Sequence, residues 1–272
     1  MQEFEVIKIR EEQAVLFASI DNPPINLLGP GLVRDLVSLI RILDQGDKYK
    51  VVVFSSANPN YFIPHVDVTK IAEYRAIAAE LVGEPSLSLL YRRLSETKAV
   101  TIAQIAGRVR GAGSEFVLAC DMRFASKEKA IFGQLEAAFG QVPGSGGVQH
   151  LTRLMGRGRA FEVITSSTDY SADLAERYGW INRAMPDAEL DVFVSDLARR
   201  IARFPHQGLI DIKQRINAIA LASAEDYRID SDLFGKATQN PETKARYKSI
   251  LEKGFQLDGK TELNLGEALG EL

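Results

Sequence analysis

The stretch Val100-Thr101-Ile102-Ala103-Gln104-Ile105, then Gly107 to Arg110, then Gly111-Ala112-Gly113-Ser114-Glu115-Phe116-Val117-Leu118-Ala119-Cys120-Asp121, decides the fold class. Its apolar opening, rich in β-branched residues, reads as a strand covered on both faces, and after a turn of small residues Ser114 to Cys120 reads as a short buried helix. Met122 to Ala125 and Ala130 to Phe132 read as further short strands. Strands alternating with helices place the chain in the α/β class. One residue resists so bland a description. Glu115 stands alone at the mouth of an apolar run, where a solvated helix face would carry more charges and a core segment none. It is either a paired structural carboxylate or a chemical one.

Working outward, Phe4 to Ile9 and Ala14 to Ile20 flank the polar Arg10-Glu11-Glu12-Gln13 and predict a β-hairpin, closed off by Asp21-Asn22-Pro23-Pro24. Leu32, Val33, Leu36, Val37, Ile40 and Leu43 recur at helical spacing, and Val51 to Phe54 follows as a second buried strand. Val68 to Ser95 reads as helical with a break at Gly83 to Pro85; its Ile71, Tyr74, Ala78, Leu81, Leu87, Leu90 and Tyr91 are packing residues or the lining of a pocket. After Pro143 the pattern turns helical, over Gly147 to Met155, Arg159 to Thr165, Ala172 to Tyr178 and the stripe Leu190, Phe193, Leu197, Ile201. Beyond Pro205 no strand is predicted, so residues 204–272 are expected to form a helical region on a 1–203 core, packing on that core or on a neighbouring subunit. Leu263 to Leu272 is expected to be an extended or frayed end.

The 272 residues carry a net charge of -3 without a basic block, which argues against nucleic acid as a partner. No run approaches the ~18 apolar residues a membrane span needs, and Met1 to Glu5 lacks a leader pattern. The lone Cys120 excludes an intrachain disulfide and suits a reducing, cytoplasmic compartment. Ser114 and Ser145 lack the glycine flanks of a nucleophile elbow, and neither a complete dinucleotide fingerprint nor a P-loop is present. His65 and Asp67 are a pair where a metal needs three or four ligands, so no metal site is expected. Gly111-Ala112-Gly113 presents free N-H groups at a helix start, a place suited to a developing oxyanion. Glu136 is a second acid isolated among apolar residues. The two acids either share one water molecule or cap helices and pair with arginines such as Arg110 or Arg123.

Taken in order, five blocks resemble the crotonase, or enoyl-CoA hydratase/isomerase, family. They are Pro24 to Leu28 with Asn26, Val51 to Asp67, Ala103 to Ser126, Phe132 to Gly147 and Tyr170 to Pro186. The resemblance implies a spiral of ββα units with a helical C-terminal region, a homotrimer or homohexamer, and an acyl-CoA thioester as substrate with no other cofactor. It implies the backbone N-H groups of Val66 and Ala112 as the oxyanion hole, and Glu115 and Glu136 as the catalytic acids. His65, Asp67, Gly111 and Gly144 follow as pocket candidates. Because both acids are present, the resemblance favours hydration of a 2-enoyl-CoA, or the reverse dehydration of a 3-hydroxyacyl-CoA, as in fatty acid metabolism. An isomerase or another acyl-CoA lyase or hydrolase, and a silent acyl-CoA-binding subunit, are the alternatives. Two positions depart from the family pattern: Pro64-His65 where a small residue and glycine are usual, and Ala112 where a middle glycine is usual. His65 is then a gate, a proton carrier, or a side chain pointing to solvent.

Overall fold

Three successive repeats of strand, strand and helix in the middle of this chain each send the first strand into one sheet and the second into another. In the computed structural model, which describes residues 4–272, strands β1 (Ile7–Glu12) and β2 (Val15–Ile20) pair antiparallel ahead of helix α1 (Pro30–Gln45). Met1 to Glu3, which open the stretch read as lacking a leader, lie outside the described residues. Then come β3 (Val51–Ser56) and β4 (Tyr61–Ile63) with α2 (Ile71–Val82) and α3 (Leu87–Ser95), and β5 (Val100–Ile105) and β6 (Arg108–Arg110) with α4 (Ala112–Ala119). β7 (Met122–Ser126) and β8 (Ile131–Gly133) precede α5 (Gly147–Ser166), which is kinked at Gly156. β9 (Tyr170–Ser171), α6 (Ala172–Tyr178), β10 (Arg183–Met185) and α7 (Asp187–Ala202) complete the strand-bearing part.

The large sheet has the order β1-β2-β3-β5-β7-β10 and the small one β4-β6-β8-β9. From β2 to β10 every pairing in the large sheet is parallel, and β4, β6 and β8 are mutually parallel in the small one. Parallel strands are buried on both faces, which is why β3 and β5 read as unbroken apolar runs. One face of the large sheet packs on Leu190, Val194 and Ala198 of α7. The other joins the main core with α1, α3 and α4.

Residues 204–272 contain five helices and no strand: α8 (His206–Ala220), α9 (Ala224–Ala237), α10 (Pro241–Glu252), α11 (Lys260–Leu263) and α12 (Leu265–Gly270). The expected frayed tail is a correction. Leu265 and Leu269, one helical turn apart, are buried against Leu135, Phe139, Ile250 and Phe255 of the same chain. The hairpin also closes later than expected, since Arg10 to Glu12 belong to β1. An edge strand tolerates these polar residues, with Arg10 stacked over Phe17 and Glu12 bonded to Arg199. No helix among the described residues is long and apolar enough to cross a membrane.

Gly113 controls how close α4 comes to β4. A Cβ there would overlap the Ile63 carbonyl oxygen, which backbone cannot relieve without moving a strand. Gly113→Ala is expected to cost about 3 kcal/mol or more, at or above the upper end for overpacking, read as a lowered unfolding midpoint in denaturant.

Candidate active site

Three neighbouring parallel strands end on the same side. β4 runs out into Pro64-His65-Val66, β6 into Gly111-Ala112 at the start of α4, and β8 into Gln134-Leu135-Glu136. Ligands collect at the carboxyl ends of parallel strands because the loops there converge. Here Val66, Ala112, Glu115 and Glu136 line one small, partly open cavity of about 30 Å³, roomy enough for a water molecule or two. His65, Tyr74, Leu87, Gly144, Phe234 and Tyr247 help to close it.

The backbone directs both N-H groups. The His65 carbonyl accepts from Leu28 N (3.0 Å) and Asp67 N donates to the Leu28 carbonyl (2.9 Å). In a trans peptide C=O and N-H point opposite ways, so the Val66 N-H faces away from Leu28. Likewise the Gly111 carbonyl accepts from Glu115 N (3.0 Å), which turns the Ala112 N-H outward from the helix. Among the described residues neither N-H donates to a backbone carbonyl outside the regular elements. Asn26, with φ +59° and its side chain buried, pins this arrangement: its Nδ2 donates to Ser56 Oγ (2.8 Å) and to the Tyr61 and Phe62 carbonyls (both 3.3 Å).

Among the described residues the two acids do not pair with arginine. Arg110 binds Asp169 in a two-pronged contact of 2.6 and 2.8 Å, and Arg123 donates to the Trp180 and Cys120 carbonyls. Glu115 does meet a helix start: its Oε1 accepts from Ser145 N (2.7 Å) and Gly147 N (2.9 Å), at the beginning of α5. Glu136 Oε2 accepts from Gln134 Nε2 at 3.1 Å. Glu115 Oε2 and Glu136 Oε1 accept no hydrogen bond among the described residues. Burial raises the Glu115 carboxyl and the charge of Glu136 raises it further, against the two backbone N-H groups. Burial also raises Glu136, against local backbone N-H groups, Gln134 and His65. Two carboxyls held this way favour a state in which one keeps its proton.

The remaining expected positions divide. Gly144 lines the cavity, and a Cβ on it would come 2.5 Å from Phe234 Cβ. Gly111 lies behind the lining with φ +49°, where a Cβ would sit 3.0 Å from Glu136 Oε1. Asp67 also falls outside the lining; its Oδ1 accepts from Thr69 N (2.9 Å) and Gln256 Nε2 (3.0 Å). His65 does not point to solvent: it is 1% exposed and bonded through both ring nitrogens. Of the suggested pocket residues in 68–95, Tyr74 and Leu87 reach the cavity, while Ala78, Leu90 and Tyr91 are core. Gln134 escaped sequence reading, as did Phe234 and Tyr247 from the helical region; a glutamine two residues before an isolated acid was the available signal.

Beyond the cavity, Val68, Arg75 and Tyr247 also line a wider cleft of about 870 Å³ between α2 and α10, where Lys244 and Lys248 stand.

The enoyl-CoA hydratase/isomerase family model matches residues 10–257. The chain belongs to that family. It is 26% identical over 253 residues to a short-chain-enoyl-CoA hydratase of Clostridium acetobutylicum, covering 92% of this chain and 96% of that protein. A crotonyl-CoA hydratase of Syntrophomonas wolfei is 25% identical over 255 residues, with the same coverage. The crystal structure of a Streptomyces avermitilis protein named for the enoyl-CoA hydratases is 51% identical and superposes with a TM-score of 0.98 over 100% of this chain and 99% of that one. The α/β crotonase-type spiral expected from the five blocks is therefore the fold of this chain.

The raised acids have a consequence for stability. A carboxyl with a native pKa above its ordinary 4.5 binds more protons folded than unfolded, so stability falls as pH rises from about 4.5 toward the native value. Glu136→Gln removes that loss. The variant is expected to melt about 2–8 °C above wild type at pH 8, on the scale of 1–2 kcal/mol, and to show little difference at pH 4. Equal melting shifts at both pH values would refute the raised pKa.

Proposed function

We propose that the chain is an enoyl-CoA hydratase, adding water to a 2-enoyl-CoA thioester or, in reverse, dehydrating a 3-hydroxyacyl-CoA. The observation that carries this reading is the pair of isolated acids, Glu115 and Glu136, sharing one small cavity with the backbone N-H groups of Val66 and Ala112, which among the described residues donate to no backbone carbonyl outside the regular elements. The family and the hydratase relatives support it.

In the reading we adopt, the thioester oxygen lies between the N-H groups of Val66 and Ala112. Negative charge gathers on that oxygen as the enolate forms, so donors fixed in advance lower the barrier without reorganising. Water occupies the space between the carboxyls. The ionised acid takes a proton from water as its oxygen bonds to the β-carbon, and the protonated acid gives a proton to the α-carbon. One proton enters the pair and one leaves it, so the site regains its starting charge. Exclusion of bulk water from around the carboxyls suits this step better than an open cleft.

Arg75, Lys244 and Lys248 make the outer cleft suitable for the phosphates of coenzyme A, which enters only as part of the substrate. Ile212, Ile216 and Ile219 of α8 are 59, 58 and 81% exposed, an apolar face that supports the homotrimer or homohexamer implied by the family. A reduced, buried Cys120 supports a cytoplasmic setting.

With crotonyl-CoA, wild type is expected to bleach the absorbance of the conjugated thioester, while Glu115→Gln and Glu136→Gln each lose about 10²–10⁴-fold in kcat. An isomerase needs one base, so persistence of double-bond migration in Glu115→Gln, without hydration by wild type, would move the chain to the isomerase branch of its family. Binding of acyl-CoA by wild type with no turnover would make it a silent binder.

A further inference from the structure

A histidine occupies the position before Val66, and its partner comes from the far end of the chain. His65 Nδ1 lies 2.8 Å from the Val66 carbonyl, and Nε2 lies 2.8 Å from Glu262 Oε1 in α11. The carbonyl only accepts, and so does an ionised carboxylate, so the ring satisfies both with a proton on each nitrogen. His65 is 1% exposed and Glu262 0%. Burial alone would raise the Glu262 carboxyl, but the His65 ring, the Gln256 N-H and Arg110 together hold it below its usual value. The ring also stacks on Phe255 at 4.2 Å between centroids, 20° from parallel.

Further contacts lie between and within the same two segments. Val68 N donates to Gln256 Oε1 (3.0 Å), Gln256 Nε2 donates to Asp67 (3.0 Å), and Gln256 N donates to Glu262 Oε1 (2.6 Å). The backbone of Glu262 is held from the other side, by Arg110 Nη1 donating to its carbonyl at 2.9 Å. Arg110 closes β6, directly before the Gly111-Ala112 turn. One residue of the tail therefore reaches the loop carrying the Val66 N-H through its side chain and the strand leading to the Ala112 N-H through its backbone.

We propose that Glu262 is a positioning residue for the oxyanion hole, acting through His65 to hold the Val66 peptide at the distance from Ala112 that the enolate oxygen requires. The inference rests on the hydratase reading for its reaction, and on the geometry above for the role of Glu262. Three bonds lock the peptides on either side of Val66: His65 O to Leu28 N, Leu28 O to Asp67 N, and Val66 O to His65 Nδ1. The first two belong to the strand-like bridge with Leu28, and only the third depends on the tail. Without Glu262 the imidazole has no anchor at Nε2, and the Val66 carbonyl loses a fixed donor. Small displacements at such a donor matter because its value lies in geometry set before the charge forms.

The test uses the full chain in five forms: wild type, Glu262→Ala, Glu262→Gln, His65→Gly, and His65→Gly with Glu262→Ala. Each is measured for kcat and KM with crotonyl-CoA, for melting temperature, and for the near-ultraviolet absorbance of bound acetoacetyl-CoA enolate, which reports the hole without requiring hydration. Glu262→Ala is expected to lower kcat about 10- to 100-fold with KM changed by less than about threefold, and to weaken the enolate signal. Glu262→Gln keeps an acceptor for Nε2 and should recover kcat to within about threefold of wild type. The double variant should be no slower than His65→Gly, because Glu262 acts through the ring. Wild-type kcat and enolate signal in Glu262→Ala, or additive losses in the double variant, would overturn the assignment. If Glu262→Ala does not fold, His65→Gly decides: wild-type kcat and enolate signal there overturn it. If wild type does not hydrate crotonyl-CoA, the hydratase reading fails for that substrate, and the enolate comparison still decides the role of Glu262.

Discussion

Everything at the candidate site depends on three short strands ending together. β4, β6 and β8 are three residues each, and on their own they are too short to be stable. They persist because each is the second strand of a unit whose first strand lies in the large parallel sheet, and because Asn26 and Arg110 tie down their ends. The close approach at Gly113 then sets the separation between the β4 loop and the α4 start. A larger residue at that point would part Val66 from Ala112, whatever the rest of the core contained.

Two carboxyls in an apolar cavity are costly, and the fold offsets part of that cost with directional groups. Glu115 receives two N-H groups from the start of α5, which also satisfies donors that a helix leaves unpaired. Structural and chemical readings of this residue are therefore not exclusive. One oxygen caps a helix, which immobilises the carboxyl and leaves the other oxygen facing the cavity. Gln134 does the same for Glu136, engaging Oε2 and leaving Oε1 free. Fixed carboxyls with one open oxygen each are what a positioned water requires; mobile ones would find other partners.

The legible features of the sequence were those set by local pattern. Apolar runs gave β3, β5 and β7, helical spacing gave α1 and α7, and lone acids between small-residue turns marked Glu115 and Glu136. β4 and β6 were missed as strands, although the equally short β8 was read from Ala130 to Phe132; three residues carry little pattern, and Arg108 and Arg110 look like a solvated turn until Asp169 and the tail carbonyls are seen around them. The tail was misread because glycines and acids at its end outweighed Leu265 and Leu269, whose one-turn spacing was the helical signal. Glu262 had no signature at all. Its partner lies 197 residues away, and single-sequence reading carries no information about such a contact.

The histidine before Val66 shows how the core and the helical region depend on each other. A glycine at that position would make no side-chain bond to the tail and would draw no support from it. A buried imidazole needs an acceptor for each N-H and a surface for its ring, and the chain supplies these as the Val66 carbonyl, Glu262 and Phe255. Losing Glu262 alone would leave a buried donor unpaired, and losing His65 alone would leave a buried carboxylate with the Gln256 N-H as its remaining hydrogen bond, so neither change is neutral without the other. Residues 255–262 are thus more than a cover over a finished site: the loop that carries the Val66 N-H has its bridge to Leu28 without them, but lacks its side-chain anchors until they are in place.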